Sequence, residues 1–248
     1  LAKISITLNK AGEHKLSISV AGIPKKEVLP VTVEADEGRK TTTDSQGSKL
    51  EPIFSEVSVK LSIYTKLESS TGVATGEIDM ATLSKAIDKA LPNEQGIKQI
   101  ELYMTEVEGA KAYEMILPAG ALSDISTSFK ISTTIGTITI PGTMLPEEVI
   151  GAKTISINIA LSDKSKLSSE LQQKIGDRPI VEISLKIDGT PSSWINENVF
   201  VTVSIPYTPT EDEQKDPEHV TVWYIDREGN IVVVPSGRYD PATSSVIF

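Results

Sequence analysis

Apolar and polar residues alternate with a period of two along most of this chain, and that pattern limits it to β structure. Ile155, Ile157, Ile159 and Leu161 give the cleanest case. Side chains on a strand point to opposite faces in turn, so such a row has one face on a core and one in water. Each buried isoleucine of the row is worth about 2 kcal/mol by area transfer, which marks a central core strand. The same pattern returns in Val181, Ile183, Leu185 and Ile187, and again in Val199, Val201, Val203 and Ile205, where Pro206 stops it. Val220, Val222 and Tyr224 form a further strand, with Trp223 and Ile225 on its other face.

The punctuation between these runs is turn chemistry. Asp188-Gly189, Arg227-Glu228-Gly229-Asn230 and Asp240-Pro241 each carry residues that tolerate a tight reversal. A last strand is expected at Val246-Ile247. Upstream, Val57 to Ile63, Ile97 to Met104 and Tyr113 to Leu117 read as strands, and Phe129 to Ile140 as a hairpin passing Gly136. Pro118 to Leu122 reads as a short helical turn, and Glu68 to Gly76 as a loop.

Two helices interrupt the strands. One spans Asp79 to Leu91, with Asp79 as N-cap and Met80, Leu83, Ile87 and Ala90 on one face. The other spans Asp163 to Ile175, with Leu167, Leu171 and Ile175 at steps of four and Gly176 at the C-cap. The expected fold is therefore mainly β, an antiparallel β-sandwich-like arrangement with two short helices.

Residues 36–52 are polar and rich in Gly, Thr and Ser, which reads as a linker. The expected organisation is a first segment, 1–35, of a few strands, then a linker and connecting strand over 36–75, then a β-rich module over 76–248. The strand pattern is already running at Leu1, as expected of a piece of a longer polypeptide. His14 is expected at a bend between strands.

Composition narrows the chemistry. The chain of 248 residues has no cysteine, which excludes a disulfide framework, thiol catalysis and a cysteine zinc site. Its net charge is −10, which argues against nucleic acid and anionic membranes as partners. No apolar run reaches the length of a membrane span. The histidines are His14 and His219, and no serine lies in a nucleophile elbow. Glu211, Asp212, Glu213, Asp216 and Glu218 crowd one acidic loop without an ordered calcium-ligand spacing. Trp194, Tyr207, Trp223, Tyr224 and Tyr239 could stack on sugar rings. Trp223 and Tyr224, being adjacent, must face opposite ways. No residue is assigned a catalytic, cofactor-binding or metal-binding role, and the expectation is that the chain is not an enzyme.

The strings "GDRP", "VTVSIPYTP" and "DPEHVTVWYIDREGNIVVVPSGRYDPAT" resemble a module found in Gram-positive bacterial surface proteins just before S-layer homology repeats. The most specific parts are "VWYID-x-x-GN" and "G-R-YDPAT", and the resemblance runs back to about Ile78. "KAGEHKLSISVAG" followed by "VTVEA" resembles the last strands of an immunoglobulin-like domain. The resemblance implies a secreted protein of the cell surface or cell wall, an S-layer type. Its partners would be neighbouring modules of the same polypeptide, and cell-wall polymer through S-layer homology repeats that this chain does not contain. The function expected is a non-catalytic structural spacer. The alternative is a carbohydrate-binding or accessory module of an extracellular polysaccharide-degrading enzyme. An enzyme would require convergent buried carboxylates in a cleft. Asp177-Arg178-Pro179 is expected to fix the turn after the second helix, carboxylate against guanidinium.

Overall fold

The computed structural model describes residues 58–144, 151–192, 199–226 and 228–248 in full, and 12–18, 27–33 and 53–54 as strands. The chain divides into two compact units, Leu1–Gly47 and Ser48–Phe248.

In the first unit, β1 (Gly12–Ile18) and β2 (Glu27–Val33) pair antiparallel. His14 lies within β1 opposite Val31 and not at a bend. The expected strand at Ile4 to Leu8 lies outside the described residues.

The second unit is a sandwich of two large sheets. Its strands are β3 (Ile53–Phe54), β4 (Ser58–Ile63), β5 (Thr65–Glu68), β6 (Val73–Glu77), β7 (Lys98–Met104), β8 (Ala112–Pro118), β9 (Thr127–Ser132), β10 (Thr137–Pro141), β11 (Thr154–Leu161), β12 (Val181–Ile187), β13 (Thr190–Ser192), β14 (Thr202–Pro206), β15 (Val222–Ile225), β16 (Ile231–Val234), β17 (Arg238–Asp240) and β18 (Ser245–Ile247). One sheet runs β17-β18-β14-β10-β9-β7-β4-β3 and the other β13-β12-β11-β8-β6-β5. A separate ribbon pairs β15 with β16.

The mainly β, sandwich-like architecture is the one the alternation requires, but its strands are not antiparallel throughout. β4 pairs parallel with β7, β7 with β9, and β6 with β8. All three parallel pairs fall where the chain passes from one sheet to the other and back between β4 and β9. Later returns of the same kind, β11 to β8 and β14 to β10, pair antiparallel, as does the tight hairpin β9–β10.

One apolar core lies between the sheets. Val59, Leu61 and Ile63 of β4, Ile100, Leu102 and Met104 of β7, and Phe129 and Ile131 of β9 face Tyr113, Met115 and Leu117 of β8 and Ile155, Ile157 and Ile159 of β11. β11 is a core strand as expected, except that Leu161 at its end is 53 % exposed. The strands at 58–77, which the boundary at 76 leaves outside the module, lie within its sheets. Val73–Glu77 in particular is strand and not loop. Gly76 makes its position possible: a Cβ there would lie 2.7 Å from Ile63 Cγ2.

α1 (Met80–Lys89) begins where expected, with the Asp79 carboxylate accepting from the Thr82 amide at 2.8 Å. Leu83 and Ala86 are buried, whereas Met80 faces water. The expected second helix is broken in two. A short 3-10 turn at Lys164–Lys166 is capped by Asp163, Leu167 is extended, and α2 (Ser169–Ile175) restarts with Ser168 as N-cap. Side-chain oxygens at 163 and 168 each offer the backbone a fresh start, which divides the segment. Gly176 has φ 57° but ψ −130°, so it ends α2 outside the left-handed helical well. A third helix, α3 (Glu211–Lys215), replaces the expected acidic loop.

Candidate functional site

The residues with the most side-chain partners lie where α2 leads into β12 and where α3 follows β14. Arg178 donates from Nε and Nη2 to a single oxygen, Oε1 of Glu213, at 3.1 and 2.6 Å. The other oxygen of Glu213 accepts from the Tyr207 hydroxyl at 2.7 Å and from the Thr210 amide at 2.8 Å. The Glu213 amide in turn donates to Thr210 Oγ1, completing a capping box at the start of α3. The Thr210 amide, the Tyr207 hydroxyl and the Arg178 guanidinium hold the Glu213 carboxyl down to about 2. Burial, then the bond to Glu213, pushes the Tyr207 phenol up. The Tyr207 ring meets Tyr239 edge to face, with centroids 6.3 Å apart. Arg178, Glu213, Tyr207 and Tyr239 form a clasp that ties β14, α3 and β17 to the end of α2.

The clasp corrects one expectation. The partner of Arg178 is Glu213, and Asp177 is not its counter-ion. The reason is the path of the chain: α3 brings Glu213 to the guanidinium, and both Nε and Nη2 donate to its Oε1. The signal available in the sequence was the pattern Thr210-x-x-Glu213, a capping box that reads as a helix start.

The five acidic residues expected in one loop do not converge. Glu213 is held in the clasp, Asp212 pairs with Lys215, and Asp216 pairs with His219 at 2.7 Å. Among the described residues no group of three or more His, Asp or Glu side chains could hold a metal ion. His219 sits in a 3-10 turn, Pro217–His219, where the Asp216 carboxylate raises its pKa. It precedes β15 and is not part of a strand.

The aromatic candidates divide. Tyr207 and Tyr239 belong to the clasp, and Trp194 lies outside the described residues. Trp223 and Tyr224 point to opposite faces of β15, and both are exposed, at 41 and 58 %. Neither belongs to the core.

The most specific strings of the sequence prove to be turn chemistry. In "YIDREGN", Asp226 accepts from the amides of Glu228 and Asn230 and from the Asn230 carboxamide, closing the β15–β16 hairpin. In "YDPAT", Asp240 accepts from the Ala242 amide and the Thr243 hydroxyl, turning β17 into β18. Asp188, at φ 48°, accepts from the amides of Lys153 and Thr154 and so pins the β12–β13 turn to the start of β11.

Fold and geometry together define a mainly β sandwich-like module with side-chain clasps at its turns. Comparison of the chain with family models, curated proteins and solved structures finds no match. No helix among the described residues is long and apolar enough to cross a membrane.

Proposed function

We propose that this chain is a non-catalytic structural module of a secreted, cell-wall-associated surface protein of the S-layer type, and that it sets the distance between the modules on either side of it. One observation carries the reading. The first and last strands of the larger unit lie towards opposite edges of the same sheet, β3 and β4 at one side, β17 and β18 at the other. β4 and β17 are separated by six strand spacings, roughly 30 Å at the usual inter-strand distance. A packed sheet holds that separation, where a flexible linker would not.

The hydrogen bonding of the motifs agrees with this. Asp188, Asp226, Asp240 and Glu213 all use their carboxylates to fix turns or join elements. The surface location rests on the resemblance of the C-terminal strings. On this reading the partners are neighbouring modules of the same polypeptide, with wall polymer bound by repeats elsewhere in it.

The absence of cysteine makes the spacing measurable. Spin labels at Tyr64→Cys and Arg238→Cys, both exposed positions, should give one narrow distance distribution. A broad distribution in a folded protein would overturn the spacer reading.

A second reading has its own support. Trp223 and Tyr224 are exposed on opposite faces of β15, and a single flat ring is already a surface on which a carbohydrate-binding module stacks a sugar. Polysaccharide affinity lost in Trp223→Ala would favour it.

A further inference from the structure

The chain holds two Asp-Pro bonds, Asp216-Pro217 and Asp240-Pro241. Such bonds are acid-labile for two chemical reasons. The aspartate side chain can attack its own main-chain carbonyl and close a five-membered ring, a reaction that needs no collision. Proline supplies a tertiary amide nitrogen, which takes up a proton more readily than a secondary one and leaves more easily. The two bonds differ in what surrounds them.

At Asp240 both carboxylate oxygens are spent on the turn, Oδ1 on the Ala242 amide at 3.0 Å and Oδ2 on the Thr243 hydroxyl at 2.8 Å. At Asp216 one residue addresses both the carboxylate and the bond itself. The His219 amide donates to the Asp216 main-chain carbonyl at 3.1 Å. The imidazole Nδ1 of His219 lies 2.7 Å from Asp216 Oδ2. His219 thus offers a donor to the oxygen on which negative charge would develop, and a proton at the residue whose bond would break. The hydrogen bond to Asp216 raises the imidazole pKa, and Glu218 adds to it. The elements packed against the turn are α3 and β17. α3 brings Glu211, Asp212, Glu213 and Lys215, and β17 brings Arg238, Tyr239 and Asp240, so acid outnumbers base around the imidazole.

We propose that the chain cuts its own backbone between Asp216 and Pro217, with the Asp216 carboxylate as nucleophile and His219 as acid. The step balances. Asp216 Oδ1 attacks its main-chain carbonyl carbon, and the new C–O bond closes a cyclic anhydride. The carbonyl oxygen carries the negative charge against the His219 amide. As the charge returns, the bond to the Pro217 nitrogen breaks, and that nitrogen takes the proton from His219 Nδ1. Water then opens the anhydride, leaving Asp216 as a free C-terminus and Pro217 as a free amine. The cut does not release the C-terminal piece. β18 stays paired with β14, and Tyr239 stays against Tyr207. Load along the chain is then borne by strand pairing, and the piece parts only when the sheet opens.

The test is incubation of the purified, folded chain in mildly acidic buffer, read by intact mass under denaturing conditions. The expected products end at Asp216 and begin at Pro217, while the bond after Asp240 stays whole. Asp216→Ala and Pro217→Ala should each leave the chain uncut. His219→Gln should slow the cut by about a hundredfold, the lower end of what a positioned acid contributes. A folded Asp240→Ala variant should be cut as the wild type is. In urea, where the turn is lost, the two bonds should react at one slow rate. A folded wild type left whole at 216 would overturn the proposal. So would equal cutting at both bonds in the folded chain, or a His219→Gln variant cut at the wild-type rate.

Discussion

Arg178 and Glu213 are joined by two hydrogen bonds to one carboxylate oxygen, across 35 positions of sequence. The contact links the end of α2 to the start of α3, so it couples the two halves of the C-terminal region. Charge-assisted bonds of this kind are shorter and stronger than neutral ones. The Arg178 side chain is half exposed, however, and solvent screens it. Arg178→Ala should therefore destabilise the protein by only about 1 kcal/mol. Glu213→Ala should cost more, about 2 kcal/mol, since it also strips the Tyr207 hydroxyl and the Thr210 amide of their acceptor. Urea unfolding of both variants checks the order, and a reversed order would contradict the clasp.

The same carboxylate gives a pH dependence with a definite sign. Glu213 is held at about 2 in the folded state against an ordinary value of 4.5. Its contribution to stability is fully present above 4.5 and is lost as pH falls towards 2. The unfolding free energy of the wild type should therefore fall more steeply over that window than that of Glu213→Gln. Parallel curves would show that the carboxylate is not held in the charged form.

A buried position of β9 and the exposed end of β11 should respond differently to truncation. Phe129 is fully buried between the sheets, so Phe129→Ala should cost about 3–5 kcal/mol. Leu161 continues the alternation of β11 but is exposed, so Leu161→Ala should stay within about 0.5 kcal/mol of the wild type. Chemical denaturation distinguishes them directly.

Gly76 and Gly142 are required by close approach. A Cβ on Gly76 would meet the stiff, branched Ile63 side chain at 2.7 Å and Met104 Cε at 3.1 Å. A Cβ on Gly142 would collide with the Asp124 carbonyl, which is backbone and cannot turn aside. Gly76→Ala should cost about 1–3 kcal/mol by overpacking, and Gly142→Ala more. Melting temperatures of the pair test the ranking.

The alternation at β4, β7, β11 and β12 identifies strands because a half-buried strand must repeat every two residues. The pairing of those strands was not legible. Whether β4 meets β7 in parallel depends on where the chain crosses between sheets, and no local residue encodes that. Val73–Glu77 carries no strand signal in its sequence because Ala74 and Gly76 have little strand preference, and only the closeness of Ile63 and Met104 explains them. The break between Lys166 and Ser169 was hidden by leucines that keep helical spacing through Leu167 while Ser168 restarts the helix. The clasp was half visible. Arg178 stood out, but its partner lies in a segment whose acidic composition masked a capped helix.

The most direct measurement for the account is co-sedimentation of the purified chain with Gram-positive cell-wall sacculi and with a panel of insoluble polysaccharides. As a spacer, the chain should remain in the supernatant with each of them, and Trp223→Ala should behave as the wild type does. Retention on a polymer that is lost in a folded Trp223→Ala or Tyr224→Ala variant would contradict the account and make the chain a carbohydrate-binding module.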